Sequence, residues 1–435
     1  MLMNKFIYIL ISLVFAVNFW NLSVILNILS QDILLFLSWI WILSGIYFFN
    51  YSKRRKALNS FRYNKVLYYI LLGVFISMFS AYAFGRQSIL TTLIAQRTIY
   101  TFMFLPAILF VQPTEEDIIK ALKWISIGTV VVWILVHFNS NIVKIDKESL
   151  EHFESEKQDL SSKLEFYVNG IYFVVFYLYY KMNEYIREFT WKNFIEASLF
   201  LIFIILYQNR SMILGVAPLF LYSMYKFRSE SKTAIIATLS ILLVVVIFFT
   251  SDIWVSMINT TQSNLNETDY NRWKSLAYYF YNYSPSWFCY LFGNGFPSGG
   301  NSQLGNLMWS NFTKGIYASD LGMIGMWVDY GLIPLIALYS IIINIIRHTY
   351  FPVYLKFICL HVLFVPTIFH FWANPGITFF VIIIYLQALY TEQNKNLNED
   401  VSYNNSKLQR RRKNNYIYKR RGVKSEISSF DSDRK

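Results

Sequence analysis

Four arginines offer the clearest chemistry in this sequence: Arg86, Arg97, Arg210 and Arg272. All four lie on the side of the apolar runs where other cations are scarce, with Arg97 inside the run 89–111 and Arg272 in a long loop. A guanidinium is a permanently charged fork that grips phosphate or carboxylate oxygens in pairs, and holding one beside lipid costs free energy. In GRQSILTTLIAQR, Arg86 and Arg97 stand eleven residues apart. That is almost three helical turns, so a continuous helix would aim both the same way, about 16 Å apart along its axis. The plainer roles are snorkelling to headgroups for Arg86 and pairing with a helix-end carbonyl for Arg97. Arg210 lies in YQNRSMILG, a tight turn between two apolar runs. There a guanidinium sits beside the free N–H groups of a helix N-terminus, and both attract anions. Arg272 opens NRWKSLAYYFYNYSPSWFCYLFGNG, whose aromatic residues recur as though the segment folds back onto a bilayer. Alone it reads as a solvated loop charge.

Two carboxylates follow. Asp320 stands where YASDLGMIGMWVDYGLI becomes apolar, positioned to cap a helix or to take a proton. Asp329 lies two to three turns further in, among apolar residues, and needs a partner if it is ionised. The stretch FGNGFPSGG, with Gly293, Gly295, Gly299 and Gly300, follows no strand and opens no helix. The phosphate-cradling glycine motifs therefore do not apply, and it reads as a turn. No Asp-x-Asp pair falls in a loop on that side, so the sequence provides no metal site there, and no cofactor motif is present. Cys289 and Cys359 follow no metal or redox spacing.

The elements that must position these residues are hydrophobic. Of 435 residues, 55% are apolar and 15% charged, which excludes a disordered or nucleic-acid-binding chain and places the bulk of the protein in lipid. Apolar runs at 6–29, 33–49, 66–84, 89–111, 121–138, 166–180, 194–208, 211–227, 233–250, 321–346, 353–371 and 376–390 predict an all-α polytopic membrane protein of about twelve spans. A span needs roughly 20 apolar residues, so the shortest runs borrow interfacial flanks. Lys and Arg number twenty-nine in one alternate set of loops and ten in the other. Positive loops stay cytoplasmic, so both termini are expected there, with the long segments 139–165 and 251–320 outside. Residues 139–165 carry Leu150, Phe153, Leu160 and Leu164 at near-helical spacing, a surface amphipathic helix. Residues 251–320 form the largest loop, and a loop of that length is usually functional. Residues 1–390 thus make the transmembrane domain. The tail 391–435 contributes +6 of the net +13 and reads as a disordered basic segment that touches anionic headgroups.

Taken together, an outer-turn Arg before a helix, a long outer loop with Arg272-Trp273 and Gly293-x-Gly295, and a polar residue heading LGMIGMWVDYGLIPL resemble the O-antigen polymerase and ligase superfamily of bacterial membrane glycosyltransferases, over roughly 195–345. The resemblance implies a GT-C-like fold in the bacterial cytoplasmic membrane. It also implies a polyprenyl-diphosphate-linked oligosaccharide substrate gripped by Arg210 and Arg272, with Arg86 and Arg97 as further diphosphate contacts. Ligase members carry a His-Asn near the loop's end; here 251–320 has no His and Ser319-Asp320 stands instead. That departure favours a Wzy-type repeat-unit polymerase, acting in O-antigen (lipopolysaccharide), capsule or exopolysaccharide synthesis, with Asp320 as candidate base. Membrane lipid, a chain-length regulator and a flippase are the expected partners. The rival readings are a lipid-linked oligosaccharide flippase or other transporter, and a ligase.

Overall fold

The structure, a computed structural model, describes residues 4–21, 30–49, 61–138, 169–207, 212–213, 215–216, 271–299, 302–365, 374–397 and 399. These residues form helices and turns, with no strand among them. In order they are α1 (Lys5–Ala16), α2 (Gln31–Phe48), α3 (Phe61–Ala83), α4 (Ile89–Ala95), α5 (Phe104–Val111), α6 (Glu115–Phe138), α7 (Ile171–Arg187), α8 (Trp191–Leu206), α9 (Asn271–Tyr281), α10 (Trp287–Phe292), α11 (Gln303–Phe312), α12 (Met323–Tyr330), α13 (Leu332–Arg347) and α14 (Val353–Phe364), followed by α15 (Asn374–Leu397). Short 3-10 turns cover Asn18–Asn21, Arg97–Met103 and Ala318–Leu321. Helix starts are capped where the sequence supplies a short polar side chain: Asn4, Ser30, Ser88, Thr190, Ser286 and Ser302 each accept from a first-turn N–H. Each cap satisfies a donor the helix itself leaves open.

Among the described residues, three helices are long and apolar enough to cross a membrane: Lys65–Ala83, Glu115–Leu135 and Asn374–Leu397. The pair Ile89–Ala95 and Arg97–Val111, bent by 65°, makes a fourth if counted as one span. Several expected runs are broken instead of continuous. Run 6–29 stops being helical at Ala16, where Asn18, Phe19 and Trp20 adopt positive φ. Run 321–346 divides at Gly331, whose φ of +84° ends α12 and starts α13. Most of run 211–227, run 233–250, the segment 139–165 and most of the tail lie outside the described residues.

The bundle's surface shows what solvent it is made for. On α8, Ile195, Leu199, Ile202 and Leu206 form an exposed stripe while Ala197, Phe200, Leu201 and Ile204 are buried. In water each exposed side chain would forgo on the order of 1 kcal/mol of burial; against lipid tails it forgoes nothing. Helices meet through small residues, as expected where lipid gives no hydrophobic drive for association. Gly73 of α3 lies against Pro334 of α13, and Gly45 of α2 against the Tyr8 ring of α1.

Hydrogen bonds identify helix ends that lie together. At one end Lys5 Nζ donates to the Gln112 carbonyl (2.7 Å), and the hydroxyls of Tyr354 and Tyr385 donate to Glu115 and to the Pro113 carbonyl (2.7 Å each). The opposite end carries α9, α10 and α11, a helical cap formed by the described part of the segment expected as a long loop. Its core is Tyr279, Tyr283, Leu304, Ile316 and Leu321, closed by Ala81 of α3 and by Trp327 and Val328 of α12. The chain separates into two compact units, Met1–Leu386 and Gln387–Lys435. In the second, Thr391 Oγ1 donates to the Gln387 carbonyl (2.8 Å) and Lys395 pairs with Glu399 at 3.7 Å.

Candidate functional site

The cap is seated on the turn between α3 and α4 by one side chain. Gln87 is 1% exposed. Its Nε2 donates to Thr92 Oγ1 (2.9 Å) and to the Phe296 carbonyl (2.8 Å). Its Oε1 accepts from the Ser298 N–H (2.9 Å) and from Ser302 Oγ (3.1 Å). All four bonding directions of the amide are used, so no orientation but this one satisfies a buried carboxamide. The Leu304 N–H adds a bond to the Gly85 carbonyl (2.9 Å). Between these anchors Arg86 is exposed and held at φ +46°, a left-handed conformation that costs a non-glycine residue roughly 1 kcal/mol or more.

Where the sequence reads as a turn, residues 293–298 form no helix, strand or hydrogen-bonded turn and cross the break between α12 and α13. The N–H and Nδ2 of Asn294 both donate to the Val328 carbonyl (2.9 and 3.0 Å), and the Gly295 N–H donates to the Asp329 carbonyl (2.9 Å). At the crossing two glycine backbones meet. A Cβ on Gly293 would sit 2.6 Å from the Gly331 N, and one on Gly331 would sit 2.5 Å from the Leu291 carbonyl oxygen. Both residues have positive φ, +83° and +84°. Close approach and backbone hand together require glycine there.

Beside this crossing a cleft of about 100 Å3 opens between Phe84, Tyr283, Pro285, Asn294, Gln303 and Leu307. It is mostly apolar, with the Asn294 and Gln303 amides as polar groups, and accommodates about three waters or part of a small ligand. Asp329 is 2% exposed. Burial raises the phenols of Tyr279 and Tyr283, and the negative charge of Asp329 raises them further, so both stay un-ionised.

Arg272 begins the first turn of α9, and Asp320 lies in the Ala318–Leu321 turn. Those two elements pack on each other, tied by the Tyr317 N–H donating to Ser275 Oγ (3.0 Å). Ser275 is three residues past Arg272 and Tyr317 three before Asp320, so the fold brings together two backbone segments whose residues 272 and 320 are 48 positions apart in sequence. Arg210 lies outside the described residues.

Arg86 and Arg97 do not share a helical face. The helix is interrupted by the Arg86 turn, begins only after the Ser88 cap, and breaks again at Gln96. Arg97 is engaged otherwise: its Nε and Nη2 donate to Asp32 Oδ1 (2.8 and 2.5 Å) and its Nη1 to the Ile94 carbonyl (3.3 Å). Asp32 sits in the first turn of α2, where a carboxylate also meets the positive end of the helix dipole. Sequence reasoning anticipated the helix-end carbonyl but not Asp32, which is 65 positions away. It also passed over Gln87 and Asn294. The signal available was a Gln directly after an outer-turn Arg and an Asn between two glycines, neither diagnostic without a partner.

The chain matches no protein-family model and no curated protein. What the described residues define is a class: a helical protein, without strands among them, with helices apolar enough to cross a membrane and with residues 271–299 and 302–321 folded into a cap over one end.

Proposed function

We propose that this protein is a metal-independent membrane glycosyltransferase that polymerises polyprenyl-diphosphate-linked oligosaccharide repeat units on the outer face of a bacterial cytoplasmic membrane, through a GT-C-like domain of about twelve spans with both termini cytoplasmic. The observation that carries this reading is the meeting of the α9 start with the 318–321 turn, which brings the Arg272 and Asp320 backbones into one cap. The exposed Arg86 supports it, since Gln87 locks the Arg86 turn to the same cap.

The chemistry needs little else. An acceptor-sugar hydroxyl oxygen attacks the anomeric carbon of the donor, a new glycosidic C–O bond forms, and the C–O bond to the lipid diphosphate breaks. The hydroxyl proton passes to the base, for which Asp320 is the candidate, and the bonding electrons leave with the diphosphate. Negative charge grows on that group in the transition state. Fixed guanidinium groups of Arg210, Arg272 and Arg86 would stabilise it in a low-dielectric mouth, with no nucleotide or ion gradient required. In this reading Arg97 supports the site from its Asp32 pair.

The test supplies purified protein in vesicles with lipid-linked repeat units alone. A ladder of longer lipid-linked chains is expected, and Arg272→Lys should lower its rate because charge without the planar fork grips diphosphate less well. Movement of the same lipid between leaflets with no ladder would assign the protein to the flippases, and transfer to a lipid A acceptor without elongation would assign it to the ligases. Cysteine labelling at Ser155 and at the exposed Asn306 checks the topology; reagent reaching them from the cytoplasmic side alone would overturn it.

A further inference from the structure

The cap turns an apolar ridge outward. On α9, Trp273, Ala277, Phe280 and Tyr281 are exposed, whereas Ser275 and Tyr279 are buried. At 100° per residue the exposed four fall within an arc of about 100°, one coherent face. On α10, Trp287 (71% exposed) and Leu291 extend it, and the Tyr290 hydroxyl, donating to the Phe280 carbonyl (2.9 Å), joins the two helices. Water gives such a face no reason to exist.

Its height on the molecule indicates what covers it. The span Lys65–Ala83 is 19 residues, about 28 Å at 1.5 Å per residue, which matches a hydrocarbon core of roughly 30 Å. Its lipid-facing row, Phe75, Phe79 and Tyr82, is exposed up to that end. The cap joins the span there: α10 packs on α3, and Pro285 lines the same cleft as Phe84. Trp287, two residues on, therefore stands at the level where hydrocarbon gives way to headgroups, the depth at which Trp and Tyr are most stable because ring and polar edge are both satisfied. A sugar-stacking platform would instead be expected inside a cleft with hydrogen-bonding neighbours, and the two amides that line the cap's cleft, Asn294 and Gln303, are not on the ridge.

We infer that the ridge Trp273, Ala277, Phe280, Tyr281, Trp287 and Leu291 rests in the headgroup and acyl boundary of the leaflet at that end, so the cap is a peripheral membrane element and not a soluble lobe. The inference needs the protein to lie in a bilayer and does not depend on its being a glycosyltransferase. It also means that a lipid-borne substrate at that end reaches the cap from within the leaflet.

The test uses the full chain in nanodiscs of phosphatidylethanolamine and phosphatidylglycerol. The native cysteines are buried, so the unmodified protein is the labelling blank. W287C and Y281C carry an environment-sensitive fluorophore, with N306C on the exposed polar side of α11 as control. Nitroxide lipids are expected to quench positions 287 and 281 several-fold more strongly than 306, and aqueous iodide to show the reverse order. Equal iodide quenching at all three positions would overturn the inference, as would shielding of 287 and 281 that appears only when a soluble oligosaccharide is added. A second measurement avoids labelling: in brominated-lipid nanodiscs W287F should lower the lipid-quenchable share of tryptophan emission, and an unchanged share would contradict the proposal.

Discussion

The two ends of the bundle use polar residues in opposite ways. At one end charges are spent on each other. Glu196 pairs with Lys123 (2.7 Å) and with Lys181 (3.2 Å), Lys181 also pairs with Glu184 (3.0 Å), and the Tyr177 hydroxyl donates to the same Glu196 (2.8 Å). At the cap end the buried side chains that hold backbone are neutral amides and hydroxyls, Gln87, Asn294 and Ser275, with the Asp329 carboxylate buried beside them. The first arrangement satisfies its own ions and offers nothing to a ligand. The second fixes loops in place and leaves a cation, Arg86, facing outward. A paired charge is the mark of a joint, whereas a scaffold of neutral hydrogen bonds around a free charge is the mark of a site.

The comparison breaks most severely at the glycine crossing. Gly293→Val would push a branched side chain into the backbone of Asp329 and Gly331 at a position whose φ of +83° already excludes it. The expected cost is on the order of 4 kcal/mol, because neither backbone can withdraw. Thermal unfolding in detergent should show the loss, and proteolysis should cut the cap first. A variant that is protease-resistant and as stable as the parent would mean the crossing does not hold the cap.

At the other end, Glu196→Gln leaves two lysines facing each other without their shared carboxylate. Lys181 and Glu196 side chains are only 10% and 17% exposed, so the loss should be about 3 kcal/mol, near the lower bound for breaking a buried pair. Cap proteolysis should be unaffected. Gln87→Leu is the matching change at the cap, and it strands the Ser298 N–H and the Phe296 carbonyl. At about 1 kcal/mol or more for each orphaned group, roughly 2 kcal/mol is expected, with the cap opening to protease. The two losses should add in the double variant because the sites share no partner. A coupling well above about 0.5 kcal/mol would show that the ends communicate.

Much of the helical architecture was legible in the sequence, since apolar runs broken by charge mark helices wherever tertiary detail does not intervene. The failures have local causes. Breaks at Gln96 and Gly331 depend on a bend and a crossing partner, and the apolar pattern continues through both. The segment 251–320 was readable as long and aromatic, but the packed cap that its described part forms rests on contacts with Ala81, Trp327 and Val328, one far upstream and two downstream. Of the site, the pairing of the Arg272 and Asp320 elements is a tertiary fact no spacing rule contains. Arg97 illustrates the reverse error: its charge was visible at once and its partner was not.

Arg97 is also where the contrast between joint and site is sharpest, although the expected effect is the smallest. Its ion pair with Asp32 has side chains 41% and 66% exposed. Such a pair gains little over hydration, so Arg97→Gln should cost at most about 1 kcal/mol, less at high salt. The informative variant is the exchange, Arg97→Asp with Asp32→Arg. It restores opposite charges at the same contact but moves the guanidinium from the 97 turn to the first turn of α2. If Arg97 is a joint, each single change destabilises slightly and the exchange recovers both stability and any polymerising activity. If its charge is needed at position 97 for a diphosphate, the exchange recovers the melting temperature and leaves activity as low as in Arg97→Asp. The two helix ends make the outcomes unequal even for stability: Asp32 sits where the α2 dipole favours an anion and an arginine there does not. Recovery should therefore fall short by a few tenths of a kcal/mol, the usual size of a terminal charge–dipole effect at an exposed helix start. Full recovery of both quantities would place Arg97 with the lysines of the opposite end, as a charge the fold has used up.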